Sequence, residues 1–153
     1  MAALDNEAAT LALGERLAAI LHSSLTIFLS GNLGAGKTTL ARGILKGLGY
    51  HGKVRSPTYN LVEIYKLSKL YLYHFDFYRF NDPLEWEEAG FREYFNQDSI
   101  CLVEWPEKAG GFLHAADLKI QIRYSGTRRI AEFSAATEAG KQCLSHWQKR
   151  VSN

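Results

Sequence analysis

Eight consecutive residues, GNLGAGKT at positions 31–38, have the composition of a phosphate cradle. They fit the pattern G-x-x-x-x-G-K-[ST] without a mismatch and follow directly on the apolar run LTIFLS. Glycines let a backbone curl round phosphate oxygens and aim its N–H groups inward, and the start of a following helix adds partial positive charge. On this reading Asn32, Leu33, Gly34, Ala35 and Gly36 line a nucleotide tail. Lys37 reaches its β and γ phosphates, and Thr38 offers a hydroxyl to Mg²⁺.

A phosphate loop needs acids to complete a metal site, and two stand out. Glu104 ends the run ICLVE, a carboxylate at the terminus of an apolar strand. Asp76 lies in YHFDFYR, where a period of two puts it on one face with His74 and Tyr78 and turns Phe75 and Phe77 the other way. A carboxylate in so aromatic a strand requires a cation, a metal or a strong hydrogen bond, because burying it alone is costly. Metal binding, water positioning and a plain ion pair with Arg79 all meet that need. Thr58, in the connector RSPTYN at 55–60, hangs its hydroxyl from a segment that Pro57 keeps out of helix. It is either a sensor of the terminal phosphate, as in nucleotide switches, or a turn-capping residue.

The elements that must carry these groups are legible from periodicity. Leu13, Leu17, Ile20 and Leu21 mark one face of an amphipathic helix, with Asp5 as its expected N-cap. LTIFL reads as a strand buried on both faces. Ala41, Ile44, Leu45 and Leu48 give the inner face of a second helix, closed at Gly49. YNLVEIYKL and LYLYHFDFYR alternate and predict a hairpin of two long strands. DPLEWEEAG predicts a short helix, SICLVEW a third buried strand stopped by Pro106, and LKIQIRYS with RRIAEFSA a second hairpin around GT. A last helix from about Thr137 aligns Gly140, Cys143, Leu144, Trp147 and Val151. The expected fold is a single three-layer α/β domain of 153 residues with a mixed parallel and antiparallel sheet.

Composition narrows the class further. The net charge of +2 is too small to argue for a nucleic-acid binder, but it is unevenly spread. From Lys37 to Lys69 there are seven Lys/Arg against one acid, and from Asp76 to Glu107 nine acids against two arginines. Basic and acidic segments in that order suit phosphate and metal binding, and equally two solvated faces. Cys101 and Cys143 sit in apolar contexts without metal-ligand spacing and read as buried free thiols of a reducing compartment. No run approaches the roughly 20 apolar residues of a membrane span, and the start of the chain does not read as a secretory signal, so a cytoplasmic protein is expected.

Taken in order, GNLGAGKTTLARGIL, SPTYNLVEIY, HFDFYRF, DPLEWEEAGFREYF and LVEWPEKAG resemble the TsaE family, also called YjeE. The resemblance covers about residues 29–110. It implies a small ATPase, working with ATP and Mg²⁺, that supports threonylcarbamoyladenosine formation on tRNA beside the anticodon. Its implied partners are the transferase TsaD and the paralogue TsaB, with tRNA met indirectly. It also implies that Lys37, Thr38 and Thr39 serve nucleotide and metal, that Thr58 occupies a switch-like connector, and that Asp76 and Glu104 are the hydrolytic acids. Trp105 would cover the nucleotide or report its state. Trp86 and the basic stretch HGKVRSPTY depart from the family pattern at places expected to alter partner contacts. A small-molecule kinase is the alternative, although no arginine-rich lid is evident. A GTPase lacks its N-K-x-D motif here, and a module that merely binds nucleotide would not need two acids beside a triphosphate.

Overall fold

The computed structural model describes residues 2–32 and 36–152. Leu33, Gly34 and Ala35, which the sequence reading assigns to nucleotide binding, lie outside the described residues. The chain runs β1 (Ala2–Leu4), α1 (Glu7–Ala18), β2 (Thr26–Ser30), α2 (Lys37–Gly47), β3 (Val62–Lys66), β4 (Tyr71–Asp76) and α3 (Leu84–Glu88). After a 3₁₀ turn come β5 (Ser99–Glu104), a second 3₁₀ turn, β6 (Leu118–Ser125), β7 (Arg128–Ala135) and α4 (Glu138–Ser152). The seven strands form one sheet in the order β1-β7-β6-β2-β5-β4-β3. β2 is parallel to both β5 and β6, β5 is parallel to β4, and the remaining pairs are antiparallel. The expected α/β fold with a mixed sheet is the one found.

Strand parity decides which side chains meet which layer. Ile27 and Leu29 of β2, Leu72 of β4, Ile100 and Leu102 of β5, and Ile120 and Ile122 of β6 join the core cluster that includes residues of α1, α2 and α4. The residues between them, Tyr73, Phe75, Cys101 and Val103, enter a second, aromatic cluster with Phe77, Phe91 and Trp86. Trp86 is thus a core anchor, 2% exposed and stacked on Phe112, so it cannot alter contacts at a surface.

Several boundaries differ from the sequence reading. Asn6, not Asp5, caps α1: its Oδ1 accepts the Ala9 N–H at 2.8 Å, while Asp5 pairs with Arg128 at 3.2 Å. The first hairpin is shorter than expected because Leu61 adopts a positive φ of 67° and donates its N–H to the Pro57 carbonyl, ending the extended run. On α4, Gly140, Cys143 and Trp147 are buried as expected, but Val151 is exposed. β1 was not foreseen. Three residues are too few to display alternation, and their place is fixed only by pairing with β7.

α1 and α2 pack at unusually close range. A Cβ on Gly43 would stand 2.3 Å from the Leu11 carbonyl oxygen, and one on Gly14 would stand 2.6 Å from that of Leu40. Only hydrogen fits at these crossings.

Both cysteines are free and buried. Burial pushes the Cys101 thiol up to about 12, and burial, followed by the charge of Asp117, also raises that of Cys143. Neither thiol is expected to react with a thiol-specific chromogenic reagent in the native protein at pH 8, and both should react once the protein is denatured. Stoichiometric labelling of the native state would contradict this packing. No helix among the described residues is long and apolar enough to cross a membrane.

Candidate functional site

β2 delivers the phosphate loop from the middle of the sheet. Gly36, at the N-cap of α2, has φ 108°, a left-handed conformation that favours glycine. β4 and β5 run parallel to β2, so their carboxyl ends reach the same edge of the sheet. Asp76 and Glu104 stand directly opposite one another in the β4–β5 register. Parity puts both on the face toward α2, since Leu72, His74 and Asp76 share a side, as do Ile100, Leu102 and Glu104. Two acids from separate strands therefore converge beside Lys37, the first residue of α2.

The convergence is tight. The Nζ of Lys37 lies 3.5 Å from Glu104 Oε1 and donates to the Gly31 carbonyl at 2.8 Å. Glu104 Oε2 meets His74 Nε2 at 2.6 Å. Lys37 is 6% exposed, Glu104 4% and His74 0%. Burial works against the Glu104 charge, but the His74 hydrogen bond and the charges of His74 and Lys37 outweigh it and hold this carboxyl below its ordinary value. Asp76 differs. Its Oδ1 accepts the Tyr78 N–H at 2.9 Å, yet burial, aided by the neighbouring Glu104, raises its carboxyl above the usual value despite that bond and Lys37. Among the described residues Asp76 forms no ion pair with an arginine; Arg79 lies over the Tyr59 ring at 4.4 Å instead. The simple Asp76–Arg79 pair is excluded.

Trp105 follows Glu104 in a left-handed conformation, φ 57° and ψ 50°, a strain of roughly 1–2 kcal/mol for a side-chain-bearing residue. Its ring receives the Lys37 ammonium at 4.7 Å and packs against Tyr78 at 4.9 Å. Thr58, Asp76, Glu104, Lys37, Thr38 and Thr39 all line one open cavity of about 570 Å³. That volume falls within the range of cofactor sites. Ser56 and Thr58, which share a hydrogen bond of 2.8 Å, border the same cavity. Asn32 is exposed and is absent from the cavity wall.

Sequence reasoning gave no role to His74, although its parity with Asp76 was visible. It also missed Leu4, Asn6, Tyr124 and Arg129, which line the same cavity from the other flank of β2. Those residues meet only through the β1–β7–β6 pairing, for which the phosphate-loop motif gives no signal.

As for a metal, no group of three or more His, Cys, Asp or Glu that could hold an ion exists among the described residues. Of the four carboxylates that line the cavity, those of Asp76 and Glu104 stand together beside Lys37, with the Thr38 hydroxyl on the same cavity wall. That is a poor cage for Zn²⁺ or Ca²⁺ and a suitable one for Mg²⁺, which takes one or two carboxylates and completes its shell with phosphate oxygens and water.

A phosphate loop at the carboxyl end of the central strand, followed by a helix and flanked by acids on neighbouring parallel strands, defines the P-loop class of α/β proteins. Residues 4–131 match the family model described as threonylcarbamoyl adenosine biosynthesis protein TsaE, and the chain belongs to this family. It is 46% identical over 147 residues to the tRNA threonylcarbamoyladenosine biosynthesis protein TsaE of Haemophilus influenzae, covering 93% of either chain. With the protein of the same name from Bacillus subtilis it shares 39% identity over 79% of this chain and 75% of the relative. The crystal structure of Bacillus subtilis YdiB superposes with a TM-score of 0.81 at 31% identity, over 97% of this chain and 92% of that one.

Proposed function

We propose that this chain is a Mg²⁺-dependent ATPase that supports threonylcarbamoyladenosine formation on tRNA, acting in the cytoplasm on a TsaB–TsaD complex. Family membership supports the pathway. The observation that carries the chemistry is the buried meeting of Lys37 and Glu104, with Asp76 beside it, on the wall of one cavity.

Lys37 turns from Glu104 to the β and γ phosphates. Thr38 Oγ1 and Glu104, directly or through water, would hold the metal. Mg²⁺, when bound, would supply charge that neutralises the phosphates. Asp76 orients the attacking water, helped by the Thr58 hydroxyl when the connector is drawn in. His74 fixes the rotamer of Glu104 from behind. Trp105 closes over Lys37 and exposes an edge through which a partner reads the occupied site. Phosphoryl transfer to water asks for positioning and charge neutralisation rather than covalent catalysis, and the core motifs contain no arginine to stabilise the terminal phosphate. Turnover by the isolated chain is therefore slow.

The test is nucleotide hydrolysis measured for the chain alone, with the TsaB–TsaD pair, and with small-molecule acceptors. Stimulation of at least about tenfold by the pair is expected, a floor well below the roughly 10³–10⁵-fold that a supplied transition-state charge gives in nucleotide hydrolases. Full activity of the isolated chain would refute partner dependence, and phosphorylation of an added acceptor would convert the reading to a kinase.

A further inference from the structure

The small net charge conceals a local imbalance at the end of the fold away from the phosphate loop. β2 begins just after His22 and ends at that loop. Glu7 of α1 lines the phosphate-loop cavity, and Arg16 lies nine residues further on, about 14 Å along the helix axis. There α1 meets the last turns of α4, and two hollows open. The first, of about 460 Å³, is lined by Ile20, Leu21, His22, His146, Lys149 and Arg150, among others. The second, of about 320 Å³, is lined by Arg16, Trp147, Arg150 and Val151. Arg150 borders both, so the two form one groove. His146, Lys149 and Arg150 share a face of α4 through their spacing of three and four. Arg16, His22, His146, Lys149 and Arg150 are all exposed, and no Asp or Glu lines either hollow. The acids of α1 are engaged with α2, Glu7 with Arg42 and Glu15 with Lys46. On α4 the acid is Glu138 in the first turn, about three turns before Arg150. Arg16, Lys149 and Arg150 form no salt bridge among the described residues. The Arg16 guanidinium lies 5.4 Å from the ring centre of Trp147, a buried side chain that holds this cation in place.

We propose that this α1–α4 groove binds the phosphate backbone of tRNA directly. The proposal rests on the tRNA-directed function above and adds to it an RNA contact separate from the nucleotide site. Three permanent cations without counter-ions repel one another, and a run of phosphates removes that repulsion while shedding its own condensed counter-ions. Exposed Lys and Arg clustered along a helix face, with no acid among them, are the electrostatic footprint of nucleic acid. A protein partner fits this surface less well. Protein interfaces bury an apolar centre and are depleted in lysine, whereas the large apolar side chain exposed in this groove is Val151 alone. Contacts to phosphate carry no base readout, so the groove positions the RNA without selecting it. Because it lies at the far end of α1 from the phosphate loop, RNA held there leaves the nucleotide cavity open.

Fluorescence anisotropy with an end-labelled, unmodified tRNA transcript, repeated over a series of salt concentrations, tests this. The wild-type chain should bind with a dissociation constant of about 10⁻⁶–10⁻⁴ M. The logarithm of its affinity should fall with that of salt at a slope of roughly −2 to −3, as three neutralised phosphates require. The double variant Lys149→Ala, Arg150→Ala should bind at least about tenfold more weakly at low salt and lose about two from the size of the slope. Lys149→Arg, which keeps the charge, should bind like wild type. Circular dichroism melts and basal ATP hydrolysis, both expected to match wild type, show that the variants are folded. Wild-type affinity and slope in the double variant would overturn the proposal. So would a double variant that keeps tRNA but no longer associates with the TsaB–TsaD pair, which would make the groove a protein-docking surface. ATP hydrolysis stimulated by the pair, in a chain that binds no tRNA, would remove the groove and leave the proposed function standing. Binding of tRNA through the groove by a chain that hydrolyses no ATP would do the reverse.

Discussion

Asp76→Ala should lose at least about a hundredfold in ATP turnover while keeping nucleotide affinity within about threefold, measured by phosphate release and by titration with ATP. The split follows from position. On the proposed function, Lys37 and Thr38 grip the phosphate chain, whereas Asp76 sits one strand further out, opposite Glu104. Its Oδ2 carries no hydrogen bond among the described residues, which leaves that oxygen for water or metal. Turnover at the wild-type rate would make Asp76 structural.

The same residue gives an opposite effect on stability. Its carboxyl is raised above the ordinary value mainly by burial, so the folded chain holds that proton more tightly than the unfolded one. The stabilisation this provides is complete below the unfolded pKa and disappears as pH rises through the folded pKa. At neutral pH the ionised group is a cost. Asp76→Asn should accordingly raise the melting temperature of the nucleotide-free protein at pH 7.5 and narrow its gain on acidification. Glu104, held low by His74 and Lys37, has the reverse sign: its contribution is present above the unfolded pKa and fades as pH falls through the folded one. A chain that gains stability by losing an acid has kept that acid for chemistry.

Gly43→Ala should destabilise the protein by about 1–3 kcal/mol, an overpacking cost, and lower the melting temperature by roughly 5 °C. The added methyl would meet backbone, not a movable side chain: the Leu11 carbonyl oxygen at 2.3 Å and the Gly14 Cα at 3.1 Å. α1 and α2 must then separate. Because Lys37 and Thr38 open α2, that shift should also weaken ATP binding several-fold. Gly111→Ala, where nothing lies within 4 Å of the added methyl, is the control and should melt like wild type. An unaltered melt for Gly43→Ala would mean that the helix pair is more compliant than its spacing implies.

The reach of the sequence follows from what each signal encodes. The phosphate loop, its strand and its helix were legible because a contiguous motif and two periodicities coincide within residues 26–48. The two acids were legible as carboxylates in apolar strands, and the β4–β5 register then brought them together. His74 behind Glu104 was half legible: parity gave its face, but its partner lies 30 residues away on another strand. The far flank of the cavity was only partly legible. The expected second hairpin sets Tyr124 opposite Arg129, but Leu4 joins them only because a three-residue strand adds itself to the β7 edge, and no local pattern announces that. The cap of α1 was misread by one residue because Asp5 and Asn6 are both good caps. The Arg128 ion pair draws Asp5 away.

The Lys37–Glu104 contact has a consequence for how ligands arrive. With the site empty, the ammonium and the carboxylate cancel each other inside the protein. On the proposed function, an incoming polyphosphate that captures the ammonium would strand the carboxylate beside like charge, and a divalent cation would repair that imbalance, so each ligand would recruit the other. By reciprocity each strengthens the other's hold by one common factor. On the proposed function, the internal counter-ion alone would disfavour bare nucleotide, without any gate.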